Sequence, residues 1–363
     1  EIAFEIAKEE NLKFKLALIK SEQDKGYLKS CLNNGKITSL YPHFEINEED
    51  IEASSHIVGV MGCEPIMDAL ENNADVILTG RATDTSIYAS VPIMLGCGLG
   101  ASWHAAKILE CGTASTVNRK RPDSIFGWVR DDHFDIEPLD LEARCTAQSV
   151  ASHTLYENAD PFLIIEPDGV LNTLNSKYTE INDRKVRVYG SVYEKSEIYT
   201  IKLEGAKFGG YQTVIIAGVR EPFIIRQLDD WLEKMQIKFI DRVIEMSNNT
   251  LDKNDYSIKI RVYGRDGVMG KLEPKKDFIN HELCLLITIT ANTEDNSKKI
   301  AKSFAHFALH FPIPEWQGLI SGLAFPFSPS ELYKGPVYNF NINHIVKPNS
   351  PLEIFRTKYL EVN

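Results

Sequence analysis

Apolar and polar positions follow two different rhythms along this chain. Up to about residue 150, short apolar runs are separated by stretches with helical spacing. Residues 1–10 have amphipathic helical spacing and lead into a strand-like run, Phe14-Lys15-Leu16-Ala17-Leu18-Ile19. Ser21 reads as the N-cap of a helix that runs to about residue 33 and stops at Asn33-Asn34-Gly35. Residues 36–50 read as irregular. A second strand, Ile57-Val58-Gly59-Val60-Met61-Gly62, enters a helix over 63–72 with Pro65 in its first turn. The third strand is Val76-Ile77-Leu78, and helices follow over 86–95 and 103–111. Short apolar strands alternating with helices predict parallel α/β layers, whose strand ends are favoured ligand positions.

Beyond residue 150 the spacing changes to period two. Runs at 185–190, 199–203, 213–217, 258–263 and 283–290 alternate, and helical patterns over 221–246 and 294–311 interrupt them. This predicts an antiparallel or mixed sheet with helices. The expected fold class is therefore α/β. A parallel-sheet α/β part occupies 1–150, an α+β part with a mixed or antiparallel sheet occupies 151–330, and C-terminal strands occupy 331–363. A helix that feeds a buried strand normally follows an earlier strand in a βαβ unit. The chain thus reads as truncated, lacking its first strand or strands. The aromatic and proline-rich stretches 312–316, 325–329 and 333–338 read as rigid packed loops.

Composition narrows the class. The chain has 363 residues, 43% hydrophobic and 25% charged, the profile of a soluble globular protein of two or three domains. Its net charge of −11 and the lack of a basic block argue against nucleic acid as a partner. No apolar run approaches the roughly 18 residues of a membrane span. The six cysteines are scattered without a C-x-x-C pair, which predicts reduced thiols and a cytoplasmic protein.

Candidate chemistry concentrates in one turn. Thr79-Gly80-Arg81-Ala82-Thr83-Asp84-Thr85-Ser86 joins a strand end to a helix start. Backbone N–H groups and a guanidinium placed there suit a carboxylate or phosphate. Thr79, Gly80, Arg81, Thr83 and Thr85 are the expected substrate-binding residues, and Asp84 is an acid/base candidate. The alternative is plain helix capping, with Arg81 pairing a surface acid. His104 and Lys107 share a face of the next helix, His104 as an acid/base and Lys107 as an anion clamp. The alternative there is a packed helix with His104 at its margin. Glu64, after the Gly59–Gly62 turn, is a third candidate catalytic residue. Tyr156, Glu157 and Asn158 form a polar turn near the expected domain boundary and are candidate binding residues. Cys111 reads as a small buried thiol rather than a nucleophile.

Arg130-Asp131-Asp132-His133 cannot point all its donors one way in regular structure. No H-x-x-x-H or H-E-x-x-H motif occurs, so no tight transition-metal site is expected, and Mg²⁺ held by carboxylates is allowed. The chain lacks G-x-x-x-x-G-K-[ST], a strand-following G-x-G-x-x-G and G-x-S-x-G, which weakens ATPase, dehydrogenase and α/β-hydrolase readings.

Several segments together resemble a known family. Ser55-His56-Ile57-Val58-Gly59-Val60-Met61-Gly62-Cys63-Glu64-Pro65, Leu78-Thr79-Gly80-Arg81-Ala82-Thr83-Asp84-Thr85, Trp103-His104-Ala105-Ala106-Lys107-Ile108-Leu109-Glu110-Cys111-Gly112, Ser152-His153-Thr154-Leu155-Tyr156-Glu157-Asn158-Ala159-Asp160-Pro161 and Gly335-Pro336-Val337-Tyr338 are similar to the acyclic terpene utilisation protein A family. Asn343-His344-Ile345-Val346 and Pro351-Leu352-Glu353-Ile354-Phe355-Arg356 resemble a small domain that accompanies it. The resemblance implies bacterial catabolism of branched terpenoids through acyl-CoA esters. It also implies a longer N-terminal part, with a glycine- and acid-bearing loop after a first strand.

The expectation is a catabolic enzyme with lyase, hydratase or isomerase chemistry on a small carboxylate or acyl-CoA. A homo-oligomer is allowed for, and neither nucleic acid nor membrane is an expected partner. One alternative is a non-catalytic binding or assembly protein of a catabolic pathway. The other is methylaspartate ammonia-lyase, which many family labels suggest. Authentic methylaspartase is a TIM barrel, and nothing here reads as eight βα units.

Overall fold

The structure is a computed structural model that describes residues 1–363 except 249, 276, 279, 314, 316–321 and 363. Two compact units make up the chain: residues 1–206 with 340–363, and residues 207–339. The chain passes between them within two long strands, Ile201–Val219 and Glu331–Val346.

In the first unit, the strand Phe14–Lys20 pairs in parallel with Val76–Thr79 and antiparallel with Arg356–Val362. The register sets Ile19 beside Thr79, so the turn that follows Thr79 lies at the C-terminal end of the parallel pair. The second expected strand, Ser54–Val60, lies elsewhere and pairs with Ile201–Val219. The layering is therefore less parallel than the alternation of elements implies. The C-terminal strand Arg356–Val362 occupies the other side of Phe14–Lys20, antiparallel to it.

Three more sheets of this unit are antiparallel. One runs Lys177–Glu180, Val186–Tyr189, His133–Pro138, Ile125–Val129. Another runs Val192–Lys195, Gly169–Asn172, Leu163–Glu166. Thr116–Val117 pairs with Arg144–Cys145. Helices and mixed sheets together make an α/β fold.

The helix Leu99–Leu109 explains why this unit continues past residue 150. Every residue from Ala101 to Ile108 is buried. A helix buried on all sides must be covered on all sides. Ala101, Ala105 and Ile108 pack against Phe134, Ile136, Val186 and Val188 of the four-stranded sheet. Trp103 and Ala106 pack with Leu171 and Tyr193 of the three-stranded one, and Trp103 stacks on Tyr193 at 5.4 Å. The expected boundary near 150 thus falls inside a packed unit, and the divisions lie at 206/207 and 339/340 instead.

The same helix accounts for Gly96-Cys97-Gly98-Leu99-Gly100. A Cβ on Gly98 would sit 1.8 Å from the Asp131 carbonyl oxygen, and one on Gly100 would sit 2.2 Å from that of Ser191. These glycines permit close backbone approach.

The second unit has the expected α+β character. Tyr211–Val219 and Tyr256–Tyr263 flank Leu283–Ala291, both antiparallel. Alternate residues of Leu283–Ala291 are buried, which is the period-two pattern of the sequence. Helices Leu228–Met246 and Glu294–Leu309 supply Trp231, Met235, Phe239 and Phe304 to the same core. The helical pattern over 221–246 divides at Gln227, after the short helix Pro222–Arg226. Pro314 and Trp316 of the 312–316 stretch lie outside the described residues.

Two local expectations change. Asp24, not Ser21, caps the helix Lys25–Asn33, accepting the Tyr27 N–H at 2.8 Å. The stretch 36–50 holds the strand Ile37–Ser39 and the start of the helix Glu48–Ala53, closed by an Asn47–Asp50 capping box. Among the described residues, no helix is long and apolar enough to cross a membrane.

Two substitutions test these contacts. A Cβ on Gly80 would lie 2.2 Å from Ser21 Oγ and 2.9 Å from the Ser21 backbone nitrogen. Gly80→Ala should therefore destabilise the chain by about 1–3 kcal/mol in urea denaturation. Thr293 Oγ1 accepts the Asn296 N–H at 3.1 Å at the start of the helix Glu294–Leu309. Thr293→Ala should cost about 1 kcal/mol, and Thr293→Ser should restore most of it.

Candidate functional site

The turn after Thr79 is built by backbone needs. Ser21 Oγ accepts the Arg81 N–H at 2.8 Å, and the Gly80 N–H reaches the Ile19 carbonyl at 2.8 Å. Thr83 then caps the helix Asp84–Met94 by accepting the Ser86 N–H at 3.1 Å. Capping by Thr83 leaves Asp84 exposed in the first turn, 3.8 Å from Arg81. The Arg81 guanidinium is engaged with Glu204, Nε to Oε2 at 3.1 Å. It is a paired arginine rather than an open anion site.

Against this turn lies a carboxyl group that is not among the expected site residues. Glu166 ends the strand Leu163–Glu166, and the hairpin to Gly169 turns it inward. It is buried, and the Thr85 hydroxyl donates to its Oε1 at 2.5 Å. Its Oε2 is buried without a hydrogen-bond partner. Burial raises its pKa to about 7, against the smaller opposing effect of hydrogen bonds from Thr85 and Thr83.

Next to it is a buried ion pair. Lys107 Nζ and Glu110 Oε1 are 2.6 Å apart, with their side chains only 7% and 8% exposed. Burial raises the Glu110 pKa despite the lysine. Asp84 and Glu157 both act electrostatically on Glu110 and Cys111, which brings the helix start, the helix end and the 156–158 turn into one neighbourhood. His153, at the end of the helix Ala147–Thr154, stacks on Tyr156 at 5.7 Å. Its Nε2 is buried without a partner. Tyr156 lies under Lys107 at 5.8 Å. Glu157 adopts a left-handed backbone, φ 58°, and the Asn158 amide anchors the turn by donating to the Thr154 carbonyl at 2.6 Å.

A second acidic group adjoins Glu166. Tyr199 donates to Glu64 Oε2 at 2.7 Å, and Tyr193 donates to Asp168. Burial raises the Glu64 pKa first, with Asp168 adding to it. Cys63 feels Glu64, Glu166 and Asp168 together.

The structure thus gathers Thr83, Asp84, Thr85, Lys107, Tyr156, Glu157 and Asn158, with Glu64 on the flank. Arg81 turns to Glu204, and Thr79 and Gly80 serve the strand end. His104 does not join them. It is 0% exposed, with Nδ1 2.7 Å from Ser191 Oγ and Nε2 2.9 Å from Thr154 Oγ1. Burial lowers its pKa to about 3. It is a core histidine with both nitrogens engaged.

Sequence reading missed Glu166, Asp168, Glu110 and His153 as site residues. The i, i+3 spacing of Lys107 and Glu110 was a signal for that pair. Glu166 and Asp168 flank Pro167, a composition typical of an ordinary turn. Among candidate metal ligands, Glu110, Cys111 and His153 place one donor atom each within 4.8 Å of one another. In the second unit, a cavity of about 430 Å³ lined by Arg226, Asp229, Arg265 and Asn280 carries the partly exposed Arg265–Asp229 pair at 2.7 Å. Buried, unpartnered groups make the first unit the better candidate.

The buried neutral His104 has a measurable consequence. Its folded pKa lies below the unfolded value of 6.5, so only the unfolded chain takes up its proton between pH 6.5 and 3. Stability from this residue is therefore full above pH 6.5 and falls as the pH drops through that window. His104→Gln should be less stable than the parent at pH 7, and its loss of stability between pH 6.5 and 4 should be shallower in chemical denaturation.

No curated protein and no solved structure matches the chain significantly. A family model described as acyclic terpene utilisation family protein AtuA matches residues 1–117 and 136–319. That match includes the Thr79–Ser86 turn, the Lys107–Cys111 helix end, the 153–158 turn and Glu166. The chain belongs to the acyclic terpene utilisation AtuA family.

Proposed function

We propose that this AtuA-family chain is an acid–base enzyme that moves a proton beside the carbonyl of a small carboxylate or acyl-CoA, in a lyase, hydratase or isomerase reaction. The observation that carries this reading is Glu166. Its pKa near 7 lets it take and return a proton at neutral pH, where general acid–base catalysis is most effective. Thr85 fixes one oxygen, and the other has no protein partner to compete with a substrate.

Lys107 is a buried cation paired with Glu110, whose charge acts on Glu166. It suits the negative charge that develops on a carbonyl oxygen as the neighbouring proton leaves. Asp84, Tyr156 and Glu157 form the accessible rim. Glu64, held by Tyr199, supplies a second carboxyl group with a raised pKa. Six free thiols fit a reducing compartment, so the reading places the enzyme in the cytoplasm.

Proton exchange tests the proposal without knowledge of the full reaction. Branched acyl-CoA esters and small carboxylates would be incubated with the protein in D₂O and analysed by mass spectrometry. At least one should gain deuterium at the carbon next to its carbonyl. Glu166→Gln should slow that exchange about 10²- to 10⁴-fold. The wild-type rate should rise as the pH passes through about 7, where Glu166 becomes the free base. Exchange that survives in Glu166→Gln would remove Glu166 from this role, and no exchange with any member of the panel would favour a binding or assembly protein.

A second readout concerns stability alone. The folded pKa of Glu166 is raised, so its contribution is neutral below the unfolded value near 4.5 and turns unfavourable as the pH rises through 7. Glu166→Gln should therefore raise stability at pH 8 by up to ~3 kcal/mol and leave it nearly unchanged at pH 4. An equal effect at both pH values would show that desolvation of the carboxylate is not the cause.

A further inference from the structure

We infer that Glu110, Cys111 and His153 form a three-ligand site for a zinc-class transition-metal ion, with a fourth position open to water or substrate. The three donor atoms, a carboxylate oxygen, a thiol sulfur and an imidazole nitrogen, lie within 4.8 Å of one another. Tetrahedral zinc with bonds of about 2.0–2.3 Å separates its ligands by about 3.3–3.8 Å. Small side-chain rotations would close the set around an ion.

His153 points independently to a ligand. Its residue is only 7% exposed, and its Nε2 has no hydrogen-bond partner. A buried polar atom without a partner is costly, and a metal ion would satisfy it. The backbone supports the arrangement. Glu110 caps the helix Leu99–Leu109, and Cys111 follows it directly. Gly112 then turns away in the left-handed region, φ 54°, where a Cβ would meet the Asp123 carbonyl at 2.7 Å. The His153 imidazole stacks on Tyr156, with ring centroids 5.7 Å apart.

The donor set selects the ion. A thiolate and an imidazole favour zinc-class ions, whereas Mg²⁺ prefers an all-oxygen shell. Three protein ligands with a vacant fourth position is the pattern of zinc sites that act on a bound molecule. Lys107 holds one oxygen of Glu110 and leaves the carboxylate a second for the ion. On binding, the Cys111 S–H bond breaks, the sulfur keeps the electron pair to form the metal bond, and the proton passes to solvent.

Local motif searches miss this site because its third ligand comes from a different helix. The inference goes beyond the Glu166 reading, which needs no metal.

Cobalt(II) and zinc(II) serve as probes. Titration of the metal-free chain with Co²⁺ should produce a thiolate-to-cobalt charge-transfer band that saturates at one equivalent. Cys111→Ser should abolish the band. His153→Gln should weaken binding by at least about tenfold, the loss that removing even an outer-shell partner can produce. On the unaltered chain, stoichiometric Zn²⁺ should slow alkylation of Cys111 by iodoacetamide, read by peptide mass spectrometry, and Mg²⁺ should not. That measurement decides the matter if either variant fails to fold. No band, a band retained in Cys111→Ser, or equal alkylation of Cys111 with and without Zn²⁺ overturns the inference. Proton exchange dependent on Glu166 would stand or fall separately.

Discussion

Burial of every residue from Ala101 to Ile108 in the helix Leu99–Leu109 is the constraint on which the first unit depends. A helix packed on all sides cannot leave its polar side chains to water. Ser102 returns its hydroxyl to the Gly98 carbonyl at 2.9 Å, His104 spans Ser191 and Thr154, and Lys107 closes on Glu110. Each partner answers a desolvation penalty that apolar contacts alone would leave uncompensated. Glycines at 98 and 100 let neighbouring backbone come close enough to complete the cover. Two antiparallel sheets from residues 125–195 are thereby tied to a helix near residue 100.

The same water-poor surroundings give the candidate site its chemistry. Glu64, Glu110 and Glu166 all have raised pKa values, and burial is the leading cause in each case. Hydrogen bonds from Thr85 and Tyr199, and the charge of Lys107, limit the shifts without cancelling them. Of these, Glu166 is raised to about 7, while Glu64 and Glu110 are raised in the same direction for the same reason. Burial also strengthens the pull between any cation and these acids, because little solvent screens it. The proposed proton transfer at Glu166 and the inferred metal site at Glu110, Cys111 and His153 both draw on this one physical condition.

Much of the local structure was legible in the sequence. The strands at 14–20, 76–79, 256–263 and 283–291 and the helices at 84–94, 99–109 and 294–309 follow from hydrophobic period and turn residues. The Thr79–Ser86 turn was legible as a place where polar side chains meet a helix start. Partner choice was not. Arg81 looks like an anion ligand until Glu204 arrives from a strand more than a hundred residues later. His104 and Lys107 share a helix face in projection, yet His104 faces Ser191 and Thr154 while Lys107 faces Glu110.

The sequence by itself determined the α/β class, the position of most elements and the AtuA family, because periodicity, capping and family motifs are written in neighbouring residues. Tertiary structure alone decided that the first unit runs to residue 206 and takes back residues 340–363, since that depends on which surfaces cover the buried helix and complete its sheets. It also decided which acids lose their water. Desolvation is set by everything that packs around a side chain, so Glu166 beside Pro167 reads as an ordinary turn carboxylate along the chain and has its pKa raised to about 7 only in the fold.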